Sequence, residues 1–267
     1  MTRWLAIARK DYRAARGSRL ISVLFAIFFL VVVINAYLFP INEPASVTVT
    51  TFVLSVTSEV TLILSLIGLL LGHRAIVSER AAGNLHLLLS LPYSRGDVLL
   101  GKVMGRAALL AILIAATLVL ATTLVVYPFG HLAVTPILLF GMLTLAFGVT
   151  YLGIGIAISS VTTSEQRATA ATFGVFFLFV LLWEEVPGWL EFGLAQAGLL
   201  DGSLPQWVSF VHAGDPISLY VRVVDGLIGD VSHTPWYMHE GIALAMLLLW
   251  LTVPLAVGYR FFEVSDL

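Results

Sequence analysis

Residues 20–39 form a run of twenty in which only Ser22 and Asn35 are polar. At about 1.5 Å per residue, a helix over that run crosses a hydrocarbon core of about 30 Å. Five more apolar runs follow, at 51–71, 103–126, 136–158, 168–183 and 241–258. A backbone in hydrocarbon must satisfy its own N–H and C=O groups, so each run is expected to be a helix. The chain is 59% hydrophobic and 11% charged, whereas a soluble domain carries about 25% charged residues. These observations exclude a soluble globule and predict an all-α membrane protein with six transmembrane helices.

The charges set the expected orientation. Of the fourteen Lys and Arg residues, all but Arg222 fall in the arm before residue 20, the 72–106 interval, the 159–167 loop or the C-terminal tail. By the positive-inside rule this places both termini in the cytoplasm and the 184–240 segment outside, in a plasma or inner membrane. Arg9, Arg13 and Arg16 lie on one side of a helix over the arm and Trp4, Ala8, Tyr12 and Ala15 on another. The arm at 1–19 is therefore expected to be either an interfacial helix drawn to anionic membrane lipid or a plain basic flank. The small-residue cleavage site of a signal peptide is missing after the first run, where Asn35, Tyr37 and Pro40 stand, so the run is expected to stay attached.

Between the second and third runs, 75–106 is dotted with charge at its ends and apolar in its middle, where Leu85, Leu87, Leu88, Leu89 and Leu91 crowd together. That pattern suits a short helix at a surface, either the membrane or a partner protein. In the 184–240 segment, Asp215-Pro216 reads as a helix cap and Gly229 as its stop. Ile217, Tyr220, Val221, Val224, Leu227 and Ile228 predict the apolar face of that helix, with Arg222 and Asp225 off it. A second stretch, 189–200, is too short to span, so both are expected to lie on the outer surface or to dip in and return. Trp183, Trp189, Trp207 and Trp236 fit an aromatic belt.

Within the spans, Gly153/Ala157 and Gly155/Ser159 have the small-xxx-small spacing that lets helices approach closely. Glu59 is the carboxylate that falls inside a run. It either lines a wet interior pathway or sits in the outer headgroup layer.

Catalytic motifs are incomplete. Gly96 to Lys102 spells the first seven positions of a phosphate-binding P-loop, but Val103 replaces the Ser or Thr and no strand precedes it. His239-Glu240 lacks the second histidine of a metalloprotease helix, no G-x-S-x-G turn is present, and Glu184-Glu185 lacks the arginine of prenyl-protein endopeptidases, whose place Trp189 takes. His212, His233 and His239 with Asp215 match no ligand spacing, and the absence of cysteine excludes disulfides and thiolate sites.

The run Ile76 to Lys102 resembles the signature loop of ABC-2 type transporter permeases. Glu79, Gly83, Leu87, Leu88, Leu89, Pro92, Arg95 and Gly101-Lys102 match its acid, glycine, leucine cluster, proline, basic residue and closing G-K. Ala81-Ala82 stand where the family often has a second acid, so that contact is missing here. The similarity extends over 1–267 as a single transmembrane domain of the type V exporter kind. Within the family, the A-I-V-S-E run, the Trp183 end of span five and D-P-I-S-L-Y-V-R at 215–222 are most similar to the permease branch serving copper maturation of nitrous oxide reductase. The resemblance implies a permease that binds no cofactor itself, with ATP and Mg in a separate cytosolic ATPase subunit. It further implies that 75–95 is a coupling helix whose leucines seat in that ATPase while Glu79, Arg80 and Arg95 orient it. A second permease copy and a periplasmic partner on 184–240 are implied as well; nucleic acid is not. Generic export of drugs, lipids or ions is the alternative, and a six-span intramembrane protease the remote one.

Overall fold

The structure, a computed structural model, describes residues 3–42, 48–83, 93–129, 132–199, 204–229, 231 and 236–264. Among these residues the regular structure is helical, and six helices are long and apolar enough to cross a membrane. The chain runs through α1 (Arg3–Arg16), α2 (Arg19–Asn42), α3 (Val49–Gly72), the short α4 (Val77–Ala81), α5 (Arg95–Phe129) and α6 (Val134–Val161). α7 (Glu165–Phe176) passes through a π turn at Phe177–Leu182 and a 3-10 turn at Trp183–Glu185 into α8 (Val186–Gln196). α9 (Gln206–His212), α10 (Pro216–Leu227) and α11 (Glu240–Val264) complete the order.

Two spans start earlier than their apolar runs, because polar caps begin a helix before hydropathy rises. At α3, the Thr48 side chain accepts from Thr51 N while Thr51 Oγ1 accepts from Thr48 N. At α5, Ser94 Oγ accepts from Asp97 N at 3.0 Å and the Asp97 carboxylate accepts from Ser94 N at 3.0 Å. The first eight residues of α5 therefore form a stem of about 12 Å below the apolar run. The fifth span continues to Gln196, so 189–196 extends a span. That corrects the expectation of a separate surface stretch. Helical hydrogen bonding carries through Pro187 because proline near a helix start gives up an N–H that has no partner anyway.

The bundle is centred on α3, α5 and α6. Gly72 and Gly155 bring the first and last of these into backbone contact: a Cβ on Gly72 would lie 2.5 Å from Leu152 O, and one on Gly155 2.5 Å from Leu69 O. On the next face of α6, Gly153 meets Leu255 and Ala157 meets Gly258, both of α11. The two small-residue pairs thus serve two partners, α3 and α11. Span five stands apart, with 6% of its apolar window buried against 56% for spans two and four.

α10 is capped by Asp215, whose Oδ2 accepts from Ile217 N and Ser218 N. Its buried face differs from the one its sequence predicts. Leu219, Tyr220, Val223 and Val224 are fully covered, Leu227 is exposed, and Arg222 is buried. Arg222 tolerates this because its guanidinium donates to the carbonyls of Ala213, Tyr237 and Ser218. Tyr220 Oη pairs with Thr144 Oγ1 at 2.8 Å, and Trp250 donates to Gly214 O at 2.8 Å. Thr144 and Trp250 each lie ten residues into their helices, about 15 Å from the ends. The α9–α10 pair therefore enters the bundle and returns. Trp183 closes it from span five, donating to His212 O at 2.9 Å while His212 Nε2 lies 3.1 Å from Trp183 O.

Candidate functional site

The site is the platform at the basic end of the bundle from which residues 84–92 depart and to which they return. α3 stops at Gly72, and the chain turns through His73–Ile76 into α4. Ser159, at the last turn of α6, steadies the break by accepting from Ile76 N at 2.9 Å and Val77 N at 3.0 Å. Ala75, Ile76 and Val77 are buried at the turn. α4 ends at Ala81 and is followed at Gly83 by a φ of +69°, a left-handed conformation suited to glycine.

Charged side chains then fasten this departure point. Lys102 lies on the α5 stem with 2% of its side chain exposed, 3.0 Å from Glu79 and 3.3 Å from Asp11. Arg106, one turn on, donates to Asp11 at 2.6 Å and also to Leu71 O. Lys10 reaches Glu79 from the rim at 3.9 Å. One buried and one partly buried cation thus face two carboxylates, so opposite charges balance where little water reaches. Burial alone would push the Asp11 carboxyl up; the Arg106 hydrogen bonds and the charges of Arg106 and Lys102 outweigh that and hold it below the ordinary carboxylate range. Glu79 Oε2 is buried with no hydrogen-bond partner among the described residues.

Arg80 points the other way and donates to Thr162 O at 3.1 Å and Ser160 O at 3.4 Å. These carbonyls end α6, where a cation also suits the helix dipole. The return point is held by Arg95, which donates to Phe262 O and to Glu263 O at 2.7 Å and lies over the Phe262 ring. The two ends of 84–92 are therefore tied to α1, α5, α6 and α11.

Of the residues that the sequence singles out, Glu79, Arg80, Gly83 and Arg95 surround the platform. Leu85, Leu87, Leu88, Leu89 and Pro92 lie outside the described residues. Asp11, Lys10, Arg106 and Ser159 complete the site, and the signal for Asp11 was its standing as the single acid in the basic arm.

α1 is clamped onto the stem. A Cβ on Gly101 would lie 2.7 Å from Ile7 Cβ, and one on Gly105 2.6 Å from Ala8 O. The arm is thus a helix whose inner face has a protein partner. The P-loop reading also fails: Gly96–Lys102 is inside α5 and forms no loop between a strand and a helix, Asp97 N is taken by Ser94 Oγ, and Lys102 is engaged by Glu79 and Asp11.

Glu59 lies ten residues after Val49, about 15 Å into α3, and accepts from Ser58 Oγ at 3.0 Å. α3 starts at Val49, two residues before its apolar run, so Glu59 stands well inside the helix. It shares a partly open strip of α3 with Ser55, Ser58 and Leu62. Among the described residues no three metal-binding side chains converge; His233 lies outside them.

The comparisons with known proteins agree with this architecture. The model of the family described as ABC-2 family transporter protein matches residues 5–267. The probable ABC transporter permease protein NosY of Pseudomonas aeruginosa is 32% identical over 220 residues, covering 77% of this chain and 75% of that protein. A protein of the same name from Stutzerimonas stutzeri is 27% identical over 232 residues, covering 78% of each.

Proposed function

Since the chain belongs to the ABC-2 transporter family, as the permease subunit of an ABC transporter, we propose that it receives the work of a separate ATPase subunit through residues 75–95. The observation that carries this reading is the fastening of both ends of 84–92 by Glu79–Lys102, Arg80 and Arg95. A push on the leucines between them is passed to α1, α5, α6 and α11 together, through the buried Lys102 that joins Glu79 to Asp11 and the partly buried bonds of Arg80 and of Arg95 to Phe262 O. ATP and Mg belong to the ATPase in this scheme.

Two copies form the working unit, both termini facing the cytoplasm of the cell membrane. Supporting this are the nearly bare flank of span five beside α3 and the strip carrying Glu59, since a carboxylate at that depth costs about 3 kcal/mol against lipid. In a dimer that strip faces a shared pathway. The narrower reading is service in copper-site maturation of nitrous oxide reductase, with a periplasmic partner on the 184–240 segment. It rests on the resemblance in A-I-V-S-E and D-P-I-S-L-Y-V-R.

The test is Leu88→Glu. A carboxylate in a packed groove costs several kcal/mol if unpaired, so the ATPase should no longer co-purify with the membrane protein. Retention of the ATPase with unchanged coupled hydrolysis would overturn the assignment and leave 84–92 as a membrane-surface segment.

A further inference from the structure

The outer face of α1 carries charge that the platform does not use. Arg9, Arg13 and Arg16 are exposed at i, i+4 and i+7, and no ion pair is formed by them among the described residues. The acid of their own helix, Asp11, is buried on the opposite side and consumed by Lys102 and Arg106.

These guanidiniums edge a groove of about 550 Å³ between α1 and the part of α5 just beyond its stem, floored by Trp4, Ala8, Gly105 and Ala108. A second groove of about 370 Å³ shares Tyr12 and Arg16 with the first and continues between α2 and α5. Its walls are Ile21, Phe25, Leu109, Ile112, Leu113 and Ala116. α1 runs parallel to α5, with Ile7 at Gly101, Ala8 at Gly105 and Tyr12 beside Leu109. The cationic groove therefore lies nearer the basic end, at the level of Met104 to Ala108. The apolar one descends along the spans, about 10 Å from Leu109 to Ala116.

We infer that this continuous groove is a binding site for one anionic phospholipid of the leaflet at the basic end, with its phosphate on Arg9, Arg13 and Arg16 and an acyl chain between α2 and α5. Charge complementarity selects the headgroup, since three guanidiniums within two turns, without an ion pair among the described residues, favour a headgroup of net negative charge over a zwitterionic one that carries its own cation. Continuity with the α2/α5 furrow selects a lipid over a soluble anion. The neighbouring exposed side chains Leu20, Val23, Ile112 and Val119 are those of a surface meant for acyl chains. Because α1 is clamped to the stem that holds Lys102, a lipid seated here would bear on the coupling platform.

The test is native mass spectrometry of the full-length protein in detergent, titrated with phosphatidylglycerol and with phosphatidylcholine of the same chains. One phosphatidylglycerol should be retained per chain, with phosphatidylcholine at least tenfold weaker. Arg9→Gln/Arg13→Gln/Arg16→Gln should weaken phosphatidylglycerol at least tenfold. Ala116→Phe, which fills the furrow at an exposed position and leaves the charge untouched, should weaken it comparably. Arg167→Gln/Arg260→Gln should leave it unchanged, and glycerophosphoglycerol should not compete. Each variant is read only if its thermal midpoint matches the parent. Undiminished retention in Ala116→Phe would overturn the site in favour of diffuse headgroup attraction. Equal loss in the Arg167/Arg260 control would do the same, and competition by the deacylated headgroup would reassign the groove to a soluble phosphate.

Discussion

Lys102 holds Glu79 at 3.0 Å in a place where the lysine side chain is 2% exposed. The lysine is on the stem of the third span and the glutamate on the short α4, so the pair joins α4 to the membrane bundle. Removing one partner of a buried pair costs about 3 kcal/mol or more, chiefly because the other charge is stranded. Lys102→Met should lower the thermal midpoint and uncouple ATPase turnover from the permease. Glu79→Gln/Lys102→Met should recover much of the stability but not the coupling. A double-mutant cycle on the two substitutions measures this, and additive effects on stability would show that the pair does not interact.

Asp11 gives the platform a pH dependence of definite sign. Its carboxyl is held below the ordinary value near 3.8, so the stability it contributes is complete above that value and is lost as pH falls through the lowered one. The difference in thermal midpoint between the parent and Asp11→Asn should be constant from pH 7 to about 4.5 and should shrink only in stronger acid. A difference that fades between pH 7 and 5 would place the Asp11 pKa on the wrong side of its ordinary value.

The spans, the capping role of Asp215 and the packing of Gly153, Gly155 and Ala157 were legible in the sequence because each depends on neighbours within one helix turn or on composition alone. The polar platform was legible only as a motif. Asp11 and Lys102 meet across 91 residues, and no local pattern states which face of a basic arm will find a partner. The α10 face was misjudged for a related reason: a 3.6-residue period ranks side chains by apolarity, whereas Arg222 is buried by carbonyls from Ala213 and Tyr237 that periodicity does not see. Hydropathy likewise missed the α5 stem, whose helix is set by Ser94 and Asp97.

The orientation can be read with thiols, since the chain has no cysteine of its own. With both termini in the cytoplasm, Ser203→Cys should react with a membrane-impermeant maleimide added to intact cells. Thr163→Cys should react only after the membrane is opened. Labelling of position 163 from outside would invert the topology, and with it the side on which an ATPase docks on 84–92.

Glu59 tests the shared pathway without knowledge of the cargo. It lies about 15 Å into α3 on a strip with Ser55 and Ser58, whereas Ile34, itself 52% exposed, lies about as deep in α2 on an apolar face. If the α3 strip faces water between two copies, Glu59→Cys should react with a small hydrophilic thiol reagent at least tenfold faster than Ile34→Cys, because thiolate forms only where water reaches. Glu59→Leu should assemble with the ATPase normally yet fail to support transport-coupled turnover. Equal, slow reaction at both positions would mean that lipid or packed protein covers the strip. The carboxylate would then be a local partner of Ser58 alone, and the pathway would have to be sought elsewhere in the bundle.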